Sequence, residues 1–351
     1  RFLLLVGDAV QSAWMSAVVT FLDCVLRGIG ALACPFIVIA VTKVGVAFRS
    51  SCDSRTARAT LSPTAFAGKV VWITGASSGI GKELAVQLAR QGARLILSAR
   101  RADALEDVVK ELAQSLAQSG GEARALPLDL ADLDALPGKA DAAIAMFGGV
   151  DVLVNNGGYS SRALAQDTEG IKEEDAMMKV NFLSYVALAK AVAPSMRARK
   201  GGHIINVSSI AGKVGVPLRT MYCAAKHAVI GWFDAFRAEE AGFFRSGIAV
   251  TNVCPGSVKT DVARNAVTAD GSRLGHSDPN IESGLEVSFV CDRILAAAAA
   301  GLDEVWIGKA KELSVLYRNS LFPDEVKVFF RENAKGIVER TMGAEFARSR
   351  L

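Results

Sequence analysis

The sequence predicts an α/β fold with a doubly wound parallel sheet that helices cover on both faces. Two observations predict it. Apolar stretches of strand length alternate with helical patterns between residues 69 and 308, and the first stretch runs into a glycine-rich turn that opens a helix. In a sheet of this kind ligands bind at the carboxyl ends of the strands, so the glycine-rich turn marks the expected site.

The glycine-rich turn follows the strand predicted at Lys69–Thr74. Gly75 allows a tight turn, Gly79 lets the backbone approach a pyrophosphate, and Gly81 lets the helix pack closely on its strand. Free N–H groups at the helix start favour phosphate. The pattern alone also fits an ordinary tight turn. Between a strand and a helix it predicts dinucleotide binding by Gly75, Ser77, Ser78, Gly79, Ile80 and Gly81.

The remaining elements continue the alternation. Long helices are predicted over residues 171–200 and 219–242, and residues 263–280, rich in Gly, Ser, Asp and Pro, predict a mobile lid. The later strands are predicted at Arg94–Ala99, Ala123–Asp129, Asp151–Asn155, His203–Ser208, Ala249–Val253 and Glu304–Ile307. We therefore divide the chain into an apolar segment (1–48), a polar linker (49–68), an α/β domain (69–308) and a helical extension (309–351).

The apolar segment has the length of a membrane span. Ile29–Thr42 is almost free of charge, and counting on to Phe48 gives about the ~20 residues that a helix needs to cross a bilayer. We expect a membrane anchor; a cleaved targeting peptide and a helix packed on the domain are the alternatives. The arginines that follow the run favour a cytosolic domain, although Arg27 on the other flank weakens that assignment.

Composition excludes several classes of function. The net charge is only +4 and no basic patch with interleaved aromatics is present, so we expect no nucleic-acid partner. The six cysteines have no framework spacing and the three histidines form no ligand cluster, so we expect neither a disulfide scaffold nor a metal. Asn206 begins a glycosylation sequon, but it lies in a predicted buried strand.

The end of the second strand predicts the cofactor's second phosphate. A site that prefers NAD should carry an acidic residue there, and the sequence has Arg100 and Arg101 instead. Arg100 and Lys82 could neutralise a 2′-phosphate, so we expect NADP(H). Asp129, with Leu130 beside it, ends the third strand, where a side chain could reach an adenine edge.

Tyr222 and Lys226 share one face of a predicted helix, since they are four residues apart. A tyrosine is a poor acid or base at neutral pH, and a neighbouring Lys⁺ lowers its pKa. Such a pair is usually surface decoration when it stands alone. Together with Asn181, Ser209 and the small residues after Asn156, in this order along an alternating chain, it is much more specific.

The combined motifs resemble the short-chain dehydrogenase/reductase family over about Lys69 to Gly308. They include the glycine turn, Asn155-Asn156-Gly157-Gly158, Tyr222 with Lys226, and Pro255-Gly256-Ser257-Val258-Lys259-Thr260. The resemblance is closest to membrane-associated reductases of the member-seven type, which are related to hydroxysteroid dehydrogenases. It implies a Rossmann fold. The pair Gly157-Gly158 departs from the commoner Ala-Gly, a mild change because both residues stay small.

The resemblance also implies roles for individual residues. Tyr222 would be the proton donor, Lys226 would lower the Tyr222 pKa and bind the nicotinamide ribose, and Ser209 would hold the substrate oxygen. Asn181 would position a water in a proton relay. The further cofactor contacts it implies are Arg100, Arg101, Asp129, Leu130, Asn156, Gly157, Pro255, Gly256, Val258 and Thr260.

The resemblance implies that the substrate is a lipophilic ketone or aldehyde, such as a steroid, retinoid or xenobiotic carbonyl, or the corresponding alcohol. A long-chain keto-lipid reductase is one alternative, and a non-catalytic NADP-binding membrane scaffold or sensor is another. We expect a location at the endoplasmic reticulum membrane, with the domain in the cytosol. The resemblance also implies a homodimer through the helices of Asn181 and Tyr222.

Overall fold

The computed structural model describes the backbone of residues 34–350 and the side chains from residue 42 onward. Seven strands of this part of the chain form one parallel sheet in the spatial order β3-β2-β1-β4-β5-β6-β7. The strands are β1 (Val70–Thr74), β2 (Arg94–Ser98), β3 (Glu122–Ala125), β4 (Val152–Asn155), β5 (Gly202–Val207), β6 (Ile248–Pro255) and β7 (Glu304–Ile307). The predicted fold class is confirmed.

The helices lie between the strands and after the last one. They are α1 (Cys34–Ser50), α2 (Gly79–Arg90), α3 (Ala102–Ser119), α4 (Leu136–Phe147), α5 (Lys172–Met178), α6 (Ser184–Ala198), α7 (Thr220–Ala238), α8 (Pro279–Glu282), α9 (Val287–Ala299), α10 (Ala310–Leu321), α11 (Pro323–Met342) and α12 (Ala344–Ser349). A π-helical turn, Lys179–Leu183, joins α5 to α6, and a second, Glu239–Phe244, follows α7.

Two apolar layers hold the sheet. Side chains of α2, α3 and α9 bury one face, and side chains of α4, α6 and α7 bury the other. Because both faces are covered, the strands are almost continuously apolar; all five residues of β1 are buried. The strand order reverses between β1 and β4, so the crevice at their carboxyl ends is the topological switch point where ligands bind.

A row of buried amides crosses the sheet from β4 to β6. Asn155 donates through Nδ2 to Asn206 Oδ1 at 2.9 Å, Asn206 donates to Asn252 Oδ1 at 3.1 Å, and Asn252 donates to Asp234 of α7 at 2.9 Å. All three asparagines are fully buried. The Asn206 side chain of the sequon is thus occupied within the sheet.

The third strand is shorter than the predicted Ala123–Asp129. The ladder is interrupted at Pro127, which has no N–H to donate, although Leu126 N and Leu128 N still donate to Leu97 O and Ala99 O at 2.8 and 3.1 Å. Residues 126–128 therefore stay hydrogen-bonded beside β2, although the regular strand ends at Ala125. The predicted helix over residues 171–200 is likewise interrupted by the first π-helical turn.

The segment before the sheet lies against β7. Asp53 N donates to Trp306 O at 2.8 Å, and Gly308 N donates to Ser51 O at 2.9 Å, so residues 51–53 border the last strand. Helix α1 covers the end of the apolar run and contacts α10, while residues 1–33 of the predicted anchor lie outside the described residues.

In the described part of the chain, one helical segment, Lys172–Ala198, is long and apolar enough to cross a membrane. Its Leu188, Val192 and Met196 are fully buried in the layer beneath the sheet. The core therefore accounts for the apolar character of this segment.

The C-terminal helices cover the loop before α7. Leu316 of α10 and Val326 of α11 pack on Val214, and Val338 and Ala347 pack on Leu218. This extension therefore supports the loop between Ser209 and Tyr222.

Candidate active site

The glycine turn is closely packed. Gly75 and Gly79 have φ values of +67° and +54°, in the left-handed region that favours glycine. A Cβ at Gly75 would lie 2.7 Å from the Gly157 Cα, and one at Gly81 would collide with the Gly75 carbonyl. Both contacts are with backbone that cannot move aside, so the turn tolerates only glycine at these two positions.

The start of α2 can hold a phosphate. Ser78 is its N-cap residue, but no side chain caps the free N–H groups of the first turn. A Cβ at Gly79 would lie 3.3 Å from Thr260 Cγ2, so the segment after β6 passes close to this helix start. Uncapped N–H groups beside a glycine turn fit a dinucleotide pyrophosphate.

Thr74 ties the end of β4 to the glycine turn. Its Oγ1 accepts from Asn156 N at 3.0 Å and Gly157 N at 3.1 Å, while Asn156 Nδ2 donates to Thr74 O at 2.9 Å. A Cβ at Gly157 would meet Leu130 Cδ1. The hydrogen bonds of Thr74 had no sequence signal, because they depend on the pairing of β1 with β4.

A cavity of about 290 Å³ lies at the ends of β2 and β3. Arg100, Asp129 and Lys139 line it, and Arg100 and Asp129 are exposed. Arg101 is exposed beside them, whereas Lys82 pairs with Glu111 of α3 at 2.6 Å. Arg100 and Lys139 are therefore the cations that line this cavity, whereas Lys82 is engaged by Glu111.

Asn181 lies fully buried in the π-helical turn. It accepts from Tyr159 N at 3.0 Å and donates to Tyr159 O at 2.7 Å, so it fixes the chain just after Gly158. A Cβ at Gly158 would lie 2.6 Å from Asn181 Oδ1 and 3.9 Å from Lys226 Nζ. Gly158 thus leaves room for Asn181 beside Lys226.

Tyr222 lies in the first turn of α7. Burial raises its pKa, while contact with the Ser209 hydroxyl and the nearby guanidinium groups of Arg219 and Arg162 oppose this rise. Ser209 is buried, caps a short 3₁₀ turn by accepting from Ala211 N at 3.1 Å, and lies 3.5 Å from Pro255 O. The fold therefore places the Ser209 hydroxyl beside the Tyr222 hydroxyl.

Lys226 is buried on the same face of α7. Its Nζ donates to Val207 O at 2.9 Å and lies 5.8 Å from the centre of the Tyr222 ring. Burial lowers its pKa to about 7. The Lys226 backbone is fixed as well, because its carbonyl accepts from Ser208 Oγ at 3.0 Å.

The segment predicted as a mobile lid is docked over this site. Arg162 N donates to Val267 O at 2.8 Å, and the Arg162 guanidinium pairs with Asp278 at 3.0 Å. Arg219, three residues before Tyr222, reaches the same carboxylate at 3.5 Å. Arg162 and Asp278 had no sequence signal, since their pairing is set only by the tertiary fold.

Glu312 of α10 holds the segment after β6. Its carboxylate accepts from Ser257 N at 2.9 Å and Lys309 N at 2.8 Å, and a Cβ at Gly256 would collide with it. Val258 is buried beside Leu285, and Thr260 Oγ1 lies 3.4 Å from Val258 O. The C-terminal extension therefore helps to shape a segment predicted to bind cofactor.

The predicted residues fall into two groups along one crevice. The glycine turn, Arg100, Asp129, Leu130, Asn156, Gly157 and Thr260 lie at the switch point and toward β3, and Asn181, Ser209, Tyr222 and Lys226 lie beside it toward β5. Among residues 34–350 no group of three potential metal ligands occurs.

The family model for short chain dehydrogenases matches residues 69–271. Dehydrogenase/reductase SDR family member 7 of Homo sapiens is 39% identical over 248 residues, which cover 71% of this chain and 72% of that protein. Member 7B of Rattus norvegicus is 39% identical over 264 residues, covering 75% and 79%.

Solved structures show the same architecture. A metagenomic short-chain oxidoreductase in complex with NADP has a TM-score of 0.57 and 31% identity, covering 70% of this chain and 98% of its own. A short-chain dehydrogenase/reductase from Burkholderia phymatum in complex with NAD has a TM-score of 0.63 and 24% identity, covering 75% and 95%. The second likeness concerns the fold alone.

Proposed function

The chain belongs to the short-chain dehydrogenase family, and from this we propose that it is an NADP(H)-dependent reductase of a ketone or aldehyde on a lipophilic molecule. The observation that carries the proposal is the placement of Tyr222 beside Ser209, with Lys226 one helical turn further along the same buried face. A binding module would have no use for this arrangement.

The residues divide the chemistry between them. The nicotinamide supplies hydride when bound. Tyr222 donates the proton that the carbonyl oxygen takes up, and Ser209 donates a hydrogen bond to the same oxygen. Lys226 would bind the ribose. The guanidinium groups of Arg219 and Arg162 near Tyr222 favour its phenolate after proton transfer. Asn181 positions a water that returns a proton toward Lys226.

The uncapped start of α2 would hold the pyrophosphate, with Val258 and Thr260 at the nicotinamide amide. Arg100 supports the preference for NADP(H), because its guanidinium can bind a phosphate through paired hydrogen bonds. It stands just after β2, where an NAD-preferring site would carry a carboxylate. Arg101 and Asp129 complete the adenosine side.

The substrate class we propose is a steroid, retinoid or xenobiotic carbonyl. The apolar residues 1–48 support attachment to a membrane, which we propose to be the endoplasmic reticulum with the domain in the cytosol. We also propose a homodimer through the helices of Asn181 and Tyr222.

Purified full-length protein tests the proposal when NADPH oxidation is followed with a panel of steroid, retinoid, quinone and long-chain keto-lipid carbonyls. The proposal expects turnover with a member of the first three classes. Turnover only with the keto-lipids would replace the substrate class, whereas tight NADPH binding without any turnover would indicate the scaffold.

A further inference from the structure

Tyr185 is a fully buried tyrosine of α6 that lies one turn after Asn181. Its hydroxyl has two polar neighbours, the Gly157 carbonyl at 3.1 Å and the Lys226 Nζ at 3.4 Å. The Lys226 Nζ also lies 5.1 Å from the centre of the Tyr185 ring, within the range of a cation–π contact.

The direction of these hydrogen bonds follows from the chemistry of the groups. An ammonium has only donors, so a charged Lys226 donates to the Tyr185 oxygen, and the single phenolic proton then goes to the Gly157 carbonyl. Gly157 N is in turn held by Thr74 Oγ1 at 3.1 Å. A continuous chain of bonds thus runs from the ammonium to the glycine turn.

Two of the three N–H bonds of Lys226 are accounted for by Val207 O and the Tyr185 hydroxyl. One remains for a ligand. The titratable groups near this ammonium are Tyr185 of α6, Tyr222 of α7 and the buried Cys254 of β6. Tyr185 is the one that accepts a hydrogen bond from it.

We propose that Tyr185 is a positioning residue, which holds the Lys226 ammonium between Val207 and the Gly157 loop and so aims its remaining N–H at the cofactor. That the remaining N–H points to the cofactor rests on the proposed function. That Tyr185 positions the Lys226 ammonium does not. A hydroxyl that accepts from a buried ammonium stabilises its charged form, because no water replaces a lost partner there.

Tyr185→Phe in the full-length protein tests the hold on Lys226. The Lys226 pKa is measured by NMR on protein labelled with ¹³C-lysine, with Lys226→Arg to assign the signal. The phenyl variant keeps the ring and should titrate at lower pH than the wild type. Tyr317→Phe, on α10, is the matched control and should leave the titration unchanged.

NADPH titration on the same preparations tests the aim. A lost hydrogen bond to a charged group corresponds to an about tenfold weaker NADPH affinity at neutral pH. An unchanged Lys226 titration in Tyr185→Phe would overturn the proposal, even if turnover fell. A shifted Lys226 titration with unchanged NADPH affinity would show that Tyr185 positions the ammonium, but would refute the claim that its remaining N–H points to the cofactor. Tyr185→Leu provides the same two readouts if the phenyl variant does not fold.

Discussion

Arg162 and Asp278 form an ion pair with 3.0 Å between guanidinium nitrogen and carboxylate oxygen, and both side chains are only 1% exposed. They are 116 residues apart in sequence. The pair joins the loop after β4 to the segment 263–280, which packs in the same apolar cluster as Tyr222.

Arg162→Leu leaves the Asp278 carboxylate buried with Arg219 as its remaining guanidinium partner. Loss of one member of a buried pair costs about 3–5 kcal/mol, and we expect the lower end because Arg219 remains. Urea unfolding measures the loss. Arg264→Leu, which removes an exposed pair with Asp261, should change stability by less than about 1 kcal/mol. Equal losses in both variants would contradict a structural role for the buried pair.

Because of the Arg162–Asp278 pair, the free energy of unfolding should fall in acid. Burial alone would raise the Asp278 pKa, but the Asn280 N–H and the Arg162 guanidinium outweigh burial and lower it. A carboxyl with a lowered folded pKa adds stability above its unfolded pKa of about 3.9, and loses it as pH falls through the folded value. The double variant Arg162→Leu/Asp278→Leu should lack this fall in acid unfolding curves.

Arg100→Asp should move the cofactor preference from NADPH toward NADH. The carboxylate would repel a 2′-phosphate and accept hydrogen bonds from a ribose 2′-hydroxyl. The ratio of kcat/KM for the two cofactors measures the change. Lys110→Asp, an equal change of charge on exposed α3, is the control. A wild type that already prefers NADH would refute the NADP(H) assignment.

Tyr222→Phe should lower turnover by about 10²–10⁴-fold, because it removes the proton donor and keeps the ring. NADPH binding, followed by fluorescence, should survive, since no cofactor contact requires the phenol to be an acid. Tyr317→Phe serves as the control for loss of a hydroxyl on a partly buried ring. Full turnover by a folded, cofactor-bound Tyr222→Phe would show that the proton comes from another group.

Lys226→Met should change how stability depends on pH in protein prepared without cofactor. Burial lowers the Lys226 pKa to about 7, so between pH 7 and its ordinary value near 10.5 the unfolded chain binds more protons than the folded one. Stability contributed through Lys226 therefore rises with pH across this window. The difference between wild-type and Lys226→Met unfolding free energies isolates this effect from the buried cysteines, and a pH-independent difference would contradict it.

Deleting residues 1–48 should move the protein from the membrane pellet to the soluble fraction. If the shortened protein stays in the pellet after a carbonate wash, another surface also binds lipid. The exposed apolar side chains at the α10–α11 junction are then the next candidates, and a triple serine variant would test them: Leu321, Phe322 and Phe329.

The strand-turn-helix pattern was sufficient to predict the sheet because each element carries its own periodicity. Leu84, Ala85 and Leu88, which are spaced to share one face of α2, are all fully buried. The Tyr222 and Lys226 pair was equally readable, since i and i+4 positions share a helix face.

Contacts between distant segments could not be predicted from the sequence. Tyr185 looks like an ordinary core tyrosine in sequence, and only the packing of α6 beside α7 places its hydroxyl at Lys226. Glu312 lies 55 residues from Ser257, its partner, and no local pattern indicates the contact. The sequence also suggested that Lys226 lowers the Tyr222 pKa, whereas the cations that oppose its rise in the structure are Arg219 and Arg162.

The row of buried amides across β4, β5 and β6 has a consequence for folding. Strands that are apolar on both faces could pair in several shifted alignments, because a shift exchanges one apolar side chain for another. Here a one-residue shift would separate Asn155, Asn206 and Asn252, and each buried amide left without a partner costs about 1–3 kcal/mol. The three asparagines thus penalise competing alignments and select the one that places the ends of β4 and β5 at the same crevice.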